Sequence, residues 1–321
     1  MPEKCLIIGL GQIGMSYDFD LSPTKAVYSH AQAFSLHPAF EIVGAVDPSA
    51  DRRALFESRY GAPAYFDVRS ALKAGGVDVV VIATPTTRHN EVLNTILEFA
   101  NPKAVLCEKP LSLDLSEARK MVEDCDAAQI SLFVNYIRRS DIGAMEIKRR
   151  IEACEILSPI KGVAWYSKGF LHNGSHFFNL LEYWLGAFVK AQVLNHGRLW
   201  NNQDPEPDVQ VEFERGIVIF QAAWEEAFSH YTIELLSPSG RLRYEQGGES
   251  IAWQSTHSDP NFSGYQILEV KPEMIANSMS RYQWHVADQL AGALAGRPCS
   301  LCTGKQALAT LEAMDKIINW R

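Results

Sequence analysis

The first 135 residues alternate short apolar runs with amphipathic segments. Runs rich in β-branched residues predict strands over residues 4–9, 40–47, 77–83, 104–107 and 130–135. Between them, residues 91–99 and 115–127 carry apolar side chains three and four positions apart, which is typical of amphipathic helices. Because strands and helices alternate, we predict an α/β domain over residues 1–135, with a doubly wound parallel sheet.

The pattern changes from about residue 160, where short runs are joined by turns. Predicted strands cover residues 162–167, 191–195, 209–213, 217–224, 231–236, 241–245 and 250–254. The turn signals Glu214-Arg215-Gly216 and Ser237-Pro238-Ser239-Gly240 lie between runs that can pair as hairpins, which predicts a mainly antiparallel open sheet. Predicted helices cover residues 175–185, 282–295 and 305–318. We therefore predict a second, α+β domain over residues 136–321, whose last two helices can pack back on the first domain.

Length, charge and cysteine content narrow the class of protein. A chain of 321 residues suits two domains, and its net charge of -8, without a basic cluster, argues against a nucleic-acid partner. No run approaches the roughly 18 apolar residues of a membrane span, and the start of the chain shows no signal-peptide pattern. The 6 cysteines form no spaced framework. We expect a cytoplasmic protein with no membrane partner and no bound metal.

The first predicted strand runs into a complete G-x-G-x-x-G motif. Glycines there allow a tight turn, close approach of the backbone to a pyrophosphate, and packing of the next helix on the strand. The second predicted strand ends in Asp47, whose carboxylate can accept hydrogen bonds from both hydroxyls of a ribose. These features predict a Rossmann dinucleotide site. Its predicted residues are Gly9, Gly11, Gln12, Ile13, Gly14 and Asp47.

The choice between NAD and NADP depends on charge. The Asp47 carboxylate would repel the 2′-phosphate of NADP, so we expect NAD as the cofactor. Arg52 and Arg53 follow closely in the sequence and keep NADP possible. These two arginines can equally belong to a solvated first helical turn.

The glycine motif is followed by an apparent insertion. Asp47 lies 33 residues beyond Gly14, whereas the usual separation is about 20. Residues 15–28 have no helical pattern, and removing these 14 residues leaves a separation of 19. A loop rooted there stands over the nucleotide, which makes Tyr17 a candidate substrate contact. The loop is predicted either to form a lid over the substrate or to be a solvated excursion.

Two further strand ends carry candidate chemistry. One ends in Ala83-Thr84-Pro85-Thr86 with His89 after it, and the next ends in Cys107-Glu108-Lys109-Pro110. The carboxyl ends of parallel strands form the edge at which open α/β sheets bind ligands. With the glycine motif, these segments resemble the Gfo/Idh/MocA family (glucose–fructose oxidoreductase, inositol dehydrogenase and relatives), of which Glu-Lys-Pro is a specific mark. The resemblance covers essentially the whole chain and implies cofactor contacts from Thr84, Pro85, His89, Glu108 and Lys109.

The resemblance also implies a catalytic role for Lys109. The matching lysine of the family contacts both the nicotinamide and the reacting hydroxyl. An ammonium beside a substrate oxygen can stabilise the negative charge that develops as hydride leaves carbon. In relatives, the proline that matches Pro110 is often preceded by a cis peptide bond.

Residues 169–179 resemble the family's substrate motif Asp-x-Gly-x-His-x-x-Asp. Gly174 and His176 match it, and the resemblance makes His176 the general acid/base. His172 and Asn179 stand where the family has aspartates, so the negative partner expected for His176 is missing. The two histidines can form a proton relay with Asn179 near the substrate, bind a metal, or cap a helix.

The last predicted strand of the first domain is followed by Asn135-Tyr136-Ile137-Arg138-Arg139, which resembles an arginine-containing family segment. Asn135, Arg138 and Arg139 are therefore candidate substrate residues. An arginine here can clamp an anionic substrate group or form an interdomain ion pair.

The sequence as a whole predicts an oxidoreductase that transfers hydride between NAD(P) and a secondary alcohol or ketone of a sugar, cyclitol or sugar derivative. Two alternatives remain open: an NAD-retaining glycosidase or lyase of the same fold, and a catalytically inactive nucleotide-binding regulator. We also expect a homodimer or homotetramer, because an antiparallel sheet covered by helices on one face leaves its other face to a partner.

Overall fold

The structure, a computed structural model, describes residues 1–319. The chain divides into two compact units. The first joins Met1–Ser140 to Ser280–Ala309, and the second joins Asp141–Met279 to the chain from Thr310 onward. The boundary between Ala309 and Thr310 falls within the last helix.

The secondary structure follows the chain in this order. The strands are β1 (Glu3–Ile8), β2 (Phe40–Val46), β3 (Ala64–Tyr65), β4 (Val79–Ile82), β5 (Ala104–Cys107), β6 (Ser131–Val134), β7 (Ile160–Tyr166), β8 (Phe188–Trp200), β9 (Asp204–Phe213), β10 (Gly216–Ala222), β11 (Thr232–Ser237), β12 (Gly240–Glu245), β13 (Ser250–Ser258), β14 (Gln266–Leu268), β15 (Glu273–Met274) and β16 (Cys302–Thr303). The α-helices are α1 (His30–Leu36), α2 (Ala50–Tyr60), α3 (Val68–Lys73), α4 (His89–Phe99), α5 (Leu115–Ala127), α6 (Ile142–Glu152), α7 (Ser175–Leu185), α8 (Tyr282–Leu294) and α9 (Gly304–Ile318).

The first unit is built on a sheet of order β16-β6-β5-β4-β1-β2-β3. Its strands are parallel except β16, which pairs antiparallel with β6. The doubly wound fold and its predicted strands are thus confirmed. The order reverses between β1 and β4, which places the glycine turn after β1 and the loop after β4 at the topological switch point.

Helices cover this sheet, and its central strands are buried throughout. All residues of β4 and β5 are buried, as expected for parallel strands with both faces covered. Helix α8 belongs to the same unit, where Val286 and Leu290 share a core cluster with Phe34 of α1. The chain therefore returns to its first unit after building most of the second.

The second unit contains a sheet of order β14-β13-β12-β11-β7-β10-β9-β8, with β15 beside β13. Its pairs are antiparallel except β7 with β10, which run parallel from Ile160↔Gly216 onward. Both predicted hairpins are confirmed, since Phe213 faces Gly216 and Ser237 faces Gly240 across their turns. The mainly antiparallel second sheet is therefore confirmed as well.

The two faces of the second sheet differ in their surroundings. Residues such as Ile233 and Leu235 point into a core that contains Phe177 and Trp184 of α7. On the strands of the same sheet, Trp165 is 38% exposed and Leu236 is 50% exposed. The alternation of buried and exposed positions gives this sheet one packed face and one open face.

Within residues 1–319, every helix is too short or too polar to cross a lipid bilayer.

Candidate active site

The turn after β1 has the backbone geometry that its glycines permit. Gly9 has φ +100°, and a Cβ there would lie 2.6 Å from the Ala83 carbonyl oxygen. A Cβ at Gly14 would collide with the Gly9 carbonyl. At Gly11, by contrast, a Cβ would meet no atom within 4 Å, so the main chain is open to a ligand on that side. This combination is the one that a pyrophosphate needs.

Asp47 follows β2 and is almost fully buried at the same edge. Its Oδ2 accepts the Leu10 N–H at 2.9 Å and its Oδ1 accepts the Ser49 N–H at 2.8 Å. Because a carboxylate offers about two acceptor positions per oxygen, each oxygen keeps one for a ribose hydroxyl. The two backbone bonds fix the carboxylate against the glycine turn.

The two arginines after Asp47 differ. Arg53 donates to the carbonyl oxygens of Asp47 and Pro48, at 2.8 and 3.0 Å, so its guanidinium is committed to the main chain. Arg52 lines the cavity described next, with one nitrogen 3.6 Å from Asp47 Oδ2. A positive charge therefore stands beside the carboxylate that would select between NAD and NADP.

A cavity of about 920 Å³ opens beside the glycine turn, which is the size range of cofactor sites. Its walls include seven of the predicted cofactor residues, together with Tyr17: Gly9, Gly11, Gln12, Ile13, Asp47, Thr84 and Pro85. Arg69 and Arg88 bring positive charge to the walls, and Asp67 and Glu91 bring negative charge. Thr84 Oγ1 is buried, and no protein atom of residues 1–319 forms a hydrogen bond with it, which leaves it available to a ligand. These residues fit a dinucleotide.

The insertion interrupts a helix. The N–H groups of His30 and Ala31 donate to the carbonyls of Ile13 and Gly14, at 2.9 Å each. These are the bonds that residues four apart make in a continuous helix, so α1 resumes where the glycine turn left off.

The inserted loop is not solvated along its whole length, because some of its residues are anchored to the first unit. Asp18 is fully buried, and its Oδ2 accepts the N–H groups of Tyr28 at 2.5 Å and Ser29 at 2.9 Å. Val27 donates its N–H to the Ser280 carbonyl, and the Tyr28 ring stacks on that of Tyr282. Tyr17, at the start of the loop, is 54% exposed and lines the cavity.

Glu108, at the end of β5, lies in a polar cluster. Its Oε1 is 2.8 Å from His30 Nε2 and accepts a hydrogen bond from Asn135 Nδ2 at 2.7 Å. Burial opposes ionisation of this carboxyl, but the hydrogen bonds from His30 and Asn135 and the charge of Lys109 outweigh it, so the pKa of Glu108 lies below its usual value. Glu108 is therefore an anion held beside the main chain of Lys109, whose N–H lies 3.3 Å from Oε2.

Lys109 itself is half-buried, and the peptide bond to Pro110 is cis, as the resemblance implies. Glu108, Lys109, Gly14 and His89 lie outside the walls of the 920 Å³ cavity.

His89 is fully buried and does not face the cavity. Its Nε2 lies 3.0 Å from the Thr84 carbonyl and its Nδ1 lies 3.1 Å from the Pro110 carbonyl. This corrects the expectation of direct cofactor contact. His89 instead ties the loop after β4 to the loop after Lys109.

Two of the candidate substrate residues after β6 are also turned inward. Asn135 is 1% exposed, and its amide donates to Glu108 and, at 3.2 Å, to Gln283 Oε1. Arg139 is buried and donates through Nε to the Ser300 carbonyl at 3.1 Å. Asn135 and Arg139 therefore take part in the packing of the first unit, contrary to the expected substrate contact. Arg138, by contrast, is only half-buried.

In the second unit, the candidate motif begins in a π-helical turn, Gly169–Gly174, that leads into α7. Asp204 of β9 accepts the N–H groups of Leu171 at 2.9 Å and His172 at 2.7 Å. Burial raises the pKa of Asp204, and these backbone hydrogen bonds oppose the rise. The exposed His172 ring stacks on Trp200 at 5.3 Å between centroids. A carboxylate thus does lie beside this motif, supplied by a distant strand.

His176 is half-buried in the first turn of α7, whereas Asn179 is 1% exposed. The Asn179 amide donates to Thr310 Oγ1 at 3.0 Å. The expected substrate contact of Asn179 is therefore corrected to a buried contact within the second unit. Within residues 1–319, no group of three or more His, Cys, Asp or Glu side chains could hold a metal ion, so the metal reading of His172 and His176 gains no support.

Sequence reasoning missed His30, Gln283 and Asp204. The insertion hid His30, because its relation to the glycine turn appears only once the inserted residues are set aside. Gln283 and Asp204 lie far along the chain from the groups they contact, and no local pattern marks them.

Comparison with known proteins agrees with this geometry. Residues 4–136 match the model of a family described as an oxidoreductase family with an NAD-binding Rossmann fold, GFO_IDH_MocA. The chain is 30% identical over 220 residues to the scyllo-inositol 2-dehydrogenase (NAD(+)) of Bacillus subtilis. That alignment covers 62% of this chain and 58% of the relative, so the chain matches somewhat more than half of the relative's length.

Solved structures share the fold over nearly the whole chain. An NAD-binding oxidoreductase from Klebsiella pneumoniae superposes with a TM-score of 0.78 at 15% identity, covering 100% of this chain and 97% of that one. The WlbA dehydrogenase of Bordetella pertussis, crystallised with NADH and UDP-GlcNAcA, gives a TM-score of 0.74 at 17% identity over 97% and 94% of the two chains.

Proposed function

We propose that this chain, whose residues 4–136 match the model of the Gfo/Idh/MocA family of oxidoreductases, is an NAD-dependent dehydrogenase of polyhydroxylated substrates. The reaction exchanges a hydride between NAD and a carbon that bears a hydroxyl group. The observation that carries the proposal is the cavity beside the glycine turn, with Asp47 on its wall and the Glu108–Lys109 pair on the neighbouring strand end.

Oxidation of a CH–OH group removes a hydride from carbon and a proton from oxygen. Bound NAD supplies the hydride acceptor. Lys109 is proposed to lie beside the substrate oxygen, where its ammonium stabilises the growing negative charge. His176 is proposed to take the hydroxyl proton, because an imidazole titrates near neutral pH. The role of His176 rests on the motif that it shares with the family.

The proposed substrate class is a cyclitol or a sugar derivative. The Bacillus subtilis relative is named as an inositol dehydrogenase, and the Bordetella pertussis structure contains a nucleotide sugar. An assay with NAD and a panel of inositols, free sugars and nucleotide sugars tests the proposal. We expect NADH to form with at least one member of the panel. Absence of cofactor reduction with every member contradicts it.

NAD is proposed over NADP because the Asp47 carboxylate lines the cavity and its backbone bonds hold it there. Arg52 weakens the repulsion of a 2′-phosphate without removing it, since its nitrogen stands 3.6 Å from the carboxylate.

We also propose that the protein is a homo-oligomer that buries the open face of the second sheet. Trp165 and Leu236 are exposed on strands of that sheet and line one groove with Val163, beside the charged side chains of Glu234 and Arg243. Exposed apolar patches of this kind are typical of protein interfaces.

A further inference from the structure

The polar cluster around Glu108 joins separate elements of the first unit. His30 begins α1, Glu108 follows β5, and Asn135 follows β6. Gln283, in the first turn of α8, accepts a hydrogen bond from the Asn135 amide at 3.2 Å, and its own amide nitrogen lies 3.3 Å from His30 Nε2. His30, Asn135 and Gln283 are each 1% exposed or less. A carboxylate surrounded in this way keeps a fixed orientation.

The contacts of His30 show which ring nitrogen faces the carboxylate. His30 Nδ1 is buried and forms no hydrogen bond with any atom of residues 1–319, while Nε2 lies 2.8 Å from Glu108 Oε1. Because a carboxylate only accepts hydrogen bonds, Nε2 must carry the proton that is shared with it. His30 is thus a donor aimed at Glu108.

Placing the Glu108 carboxylate in this cluster has a free-energy cost. A buried carboxylate costs free energy unless charges and donors compensate it, and apolar residues would pack this position at lower cost. Glu108 is adjacent in the chain to Lys109, the residue that we propose lies beside the reacting oxygen of the substrate. The cluster therefore fixes the group that precedes the catalytic lysine.

We propose that His30 is a positioning residue, which holds Glu108 as a fixed carboxylate and through it holds Lys109 in its reactive position. This inference rests on the proposed function. His30 is separated from the glycine turn in the sequence by the inserted loop. The inference gives His30 a role in turnover rather than in cofactor binding.

The same helix supplies a matched control. His37 caps the C-terminal end of α1, is 6% exposed, and pairs through Nε2 with the carboxylate of Asp288 at 3.4 Å. Like His30, it connects α1 to α8 through a buried ring. It is not part of the polar cluster around Glu108, so replacing it tests the effect of losing a buried histidine between α1 and α8 without disturbing Glu108.

The experiment compares His30→Leu and His30→Gln with His37→Leu and His37→Gln, each saturated with NAD and assayed with the best substrate of the panel. We expect His30→Leu to lower kcat by about 10–100-fold, with the KM for NAD within about threefold of its original value. His30→Gln keeps an N–H donor and should recover part of the rate. Both His37 variants should retain kcat. Equal kcat in His30→Leu and His37→Leu overturns the inference.

A second readout does not depend on turnover. In protein labelled with ¹³C at the Glu side-chain carboxyl, the resonance that disappears in Glu108→Gln reports the ionisation of Glu108. The titratable groups that interact with it are the basic groups of His30 and Lys109, the Cys107 thiol and the Tyr282 hydroxyl; burial and Glu108 both raise the pKa of Cys107 and of Tyr282. In His30→Leu, Glu108 should become protonated at a higher pH than in the original protein. An unchanged titration contradicts the inference.

The two failures remain distinct. If the original protein reduces NAD with no substrate of the panel, the proposed function is wrong, and the Glu108 titration decides whether His30 holds the carboxylate. If the original protein is active and His30→Leu behaves like His37→Leu, the function stands and the role of His30 is wrong.

Discussion

Lys109 illustrates how a single charge is expected to act on rate rather than on binding. It follows the fixed Glu108 carboxylate and stands outside the walls of the nucleotide cavity. Lys109→Met keeps much of the side-chain volume and removes the charge. We expect kcat to fall by about 10²–10⁴-fold, because groups that stabilise developing charge contribute in that range.

The control for this prediction is Lys120→Met, an exposed lysine of α5 that pairs with Asp124. Calorimetry with NAD should give similar affinities for both variants. A Lys109→Met protein that keeps a near-normal kcat, or that loses NAD binding altogether, contradicts the role assigned to Lys109.

Asp47 is predicted to set the cofactor preference. Asp47→Asn keeps an oxygen that can accept the Leu10 N–H but removes the charge that repels a 2′-phosphate. With Arg52 at the same wall, the ratio of NADP to NAD affinity should rise by about tenfold, or about 1.4 kcal/mol. Titration calorimetry with both nucleotides measures this ratio. A ratio that stays the same means that Asp47 does not discriminate between them.

Glu108 gives a pH dependence whose sign is fixed. Its pKa is lower in the folded than in the unfolded protein, so the unfolded state binds more protons in the acidic range. The stabilisation is therefore complete above the ordinary glutamate pKa of about 4.3 and is lost as the pH falls through the lower folded value. As the pH is lowered through that range, the melting temperature of Glu108→Gln should fall less than the melting temperature of the original protein. Parallel declines in the two proteins would contradict this.

The sequence predicted the glycine turn and Asp47 well because their chemistry depends on the main chain and on strand position. It could not predict that Asn135, Asn179 and His89 point inward. The direction of a side chain at the end of a strand or in a helical turn depends on what packs beside it. For Asn135, that partner is Gln283, which is distant in the chain.

At the scale of elements, the inserted loop is a separable part of the first unit. Because His30 and Ala31 already bond to Ile13 and Gly14, excising residues 17–29 makes His30 the fourth residue after Ile13. We expect the shortened chain to fold with a continuous α1. Its affinity for NAD should fall severalfold, since Tyr17 leaves the cavity wall.

The stability of an Asp18→Ala variant can be compared with the stability of the shortened chain. The substitution leaves the buried N–H groups of Tyr28 and Ser29 without their acceptor, which should cost about 1–3 kcal/mol, whereas the excision removes those groups altogether. Denaturant unfolding should therefore rank Asp18→Ala below the shortened chain. A lower free energy of unfolding for the shortened chain than for Asp18→Ala would show that the loop stabilises the fold through contacts other than those of Asp18.

Turn chemistry predicted the hairpins of the second sheet, but strand lengths were underestimated. The strand predicted over residues 209–213 begins at Asp204, and the one predicted over 191–195 extends over Phe188–Trp200. Pro205 and Pro207 hid the first half of β9, since proline is unusual inside a strand. Pro205 pairs there with Leu199 of β8, at the edge of the sheet, and Pro207 lies between Glu206 and Asp208, where the register shifts.

At the scale of the whole molecule, the open face of the second sheet predicts assembly. Introducing charge at its apolar positions, as in Trp165→Glu combined with Leu236→Glu, should reduce the assembly to single chains, because a buried unpaired carboxylate is costly. Phe262→Glu, at an exposed position outside the sheet strands, is the control. Light scattering after size exclusion measures the mass. An assembly that survives the double substitution must use another surface.

The central claim is that a hydride passes directly between a substrate carbon and NAD held in the first unit. It is tested most directly with a substrate from the panel that carries deuterium on the carbon bearing the reacting hydroxyl. After one turnover, we expect the deuterium on C4 of the nicotinamide of the product cofactor, with an equal amount of ketone formed. Reduced cofactor without deuterium, or substrate conversion with no net reduction of NAD, would contradict the claim.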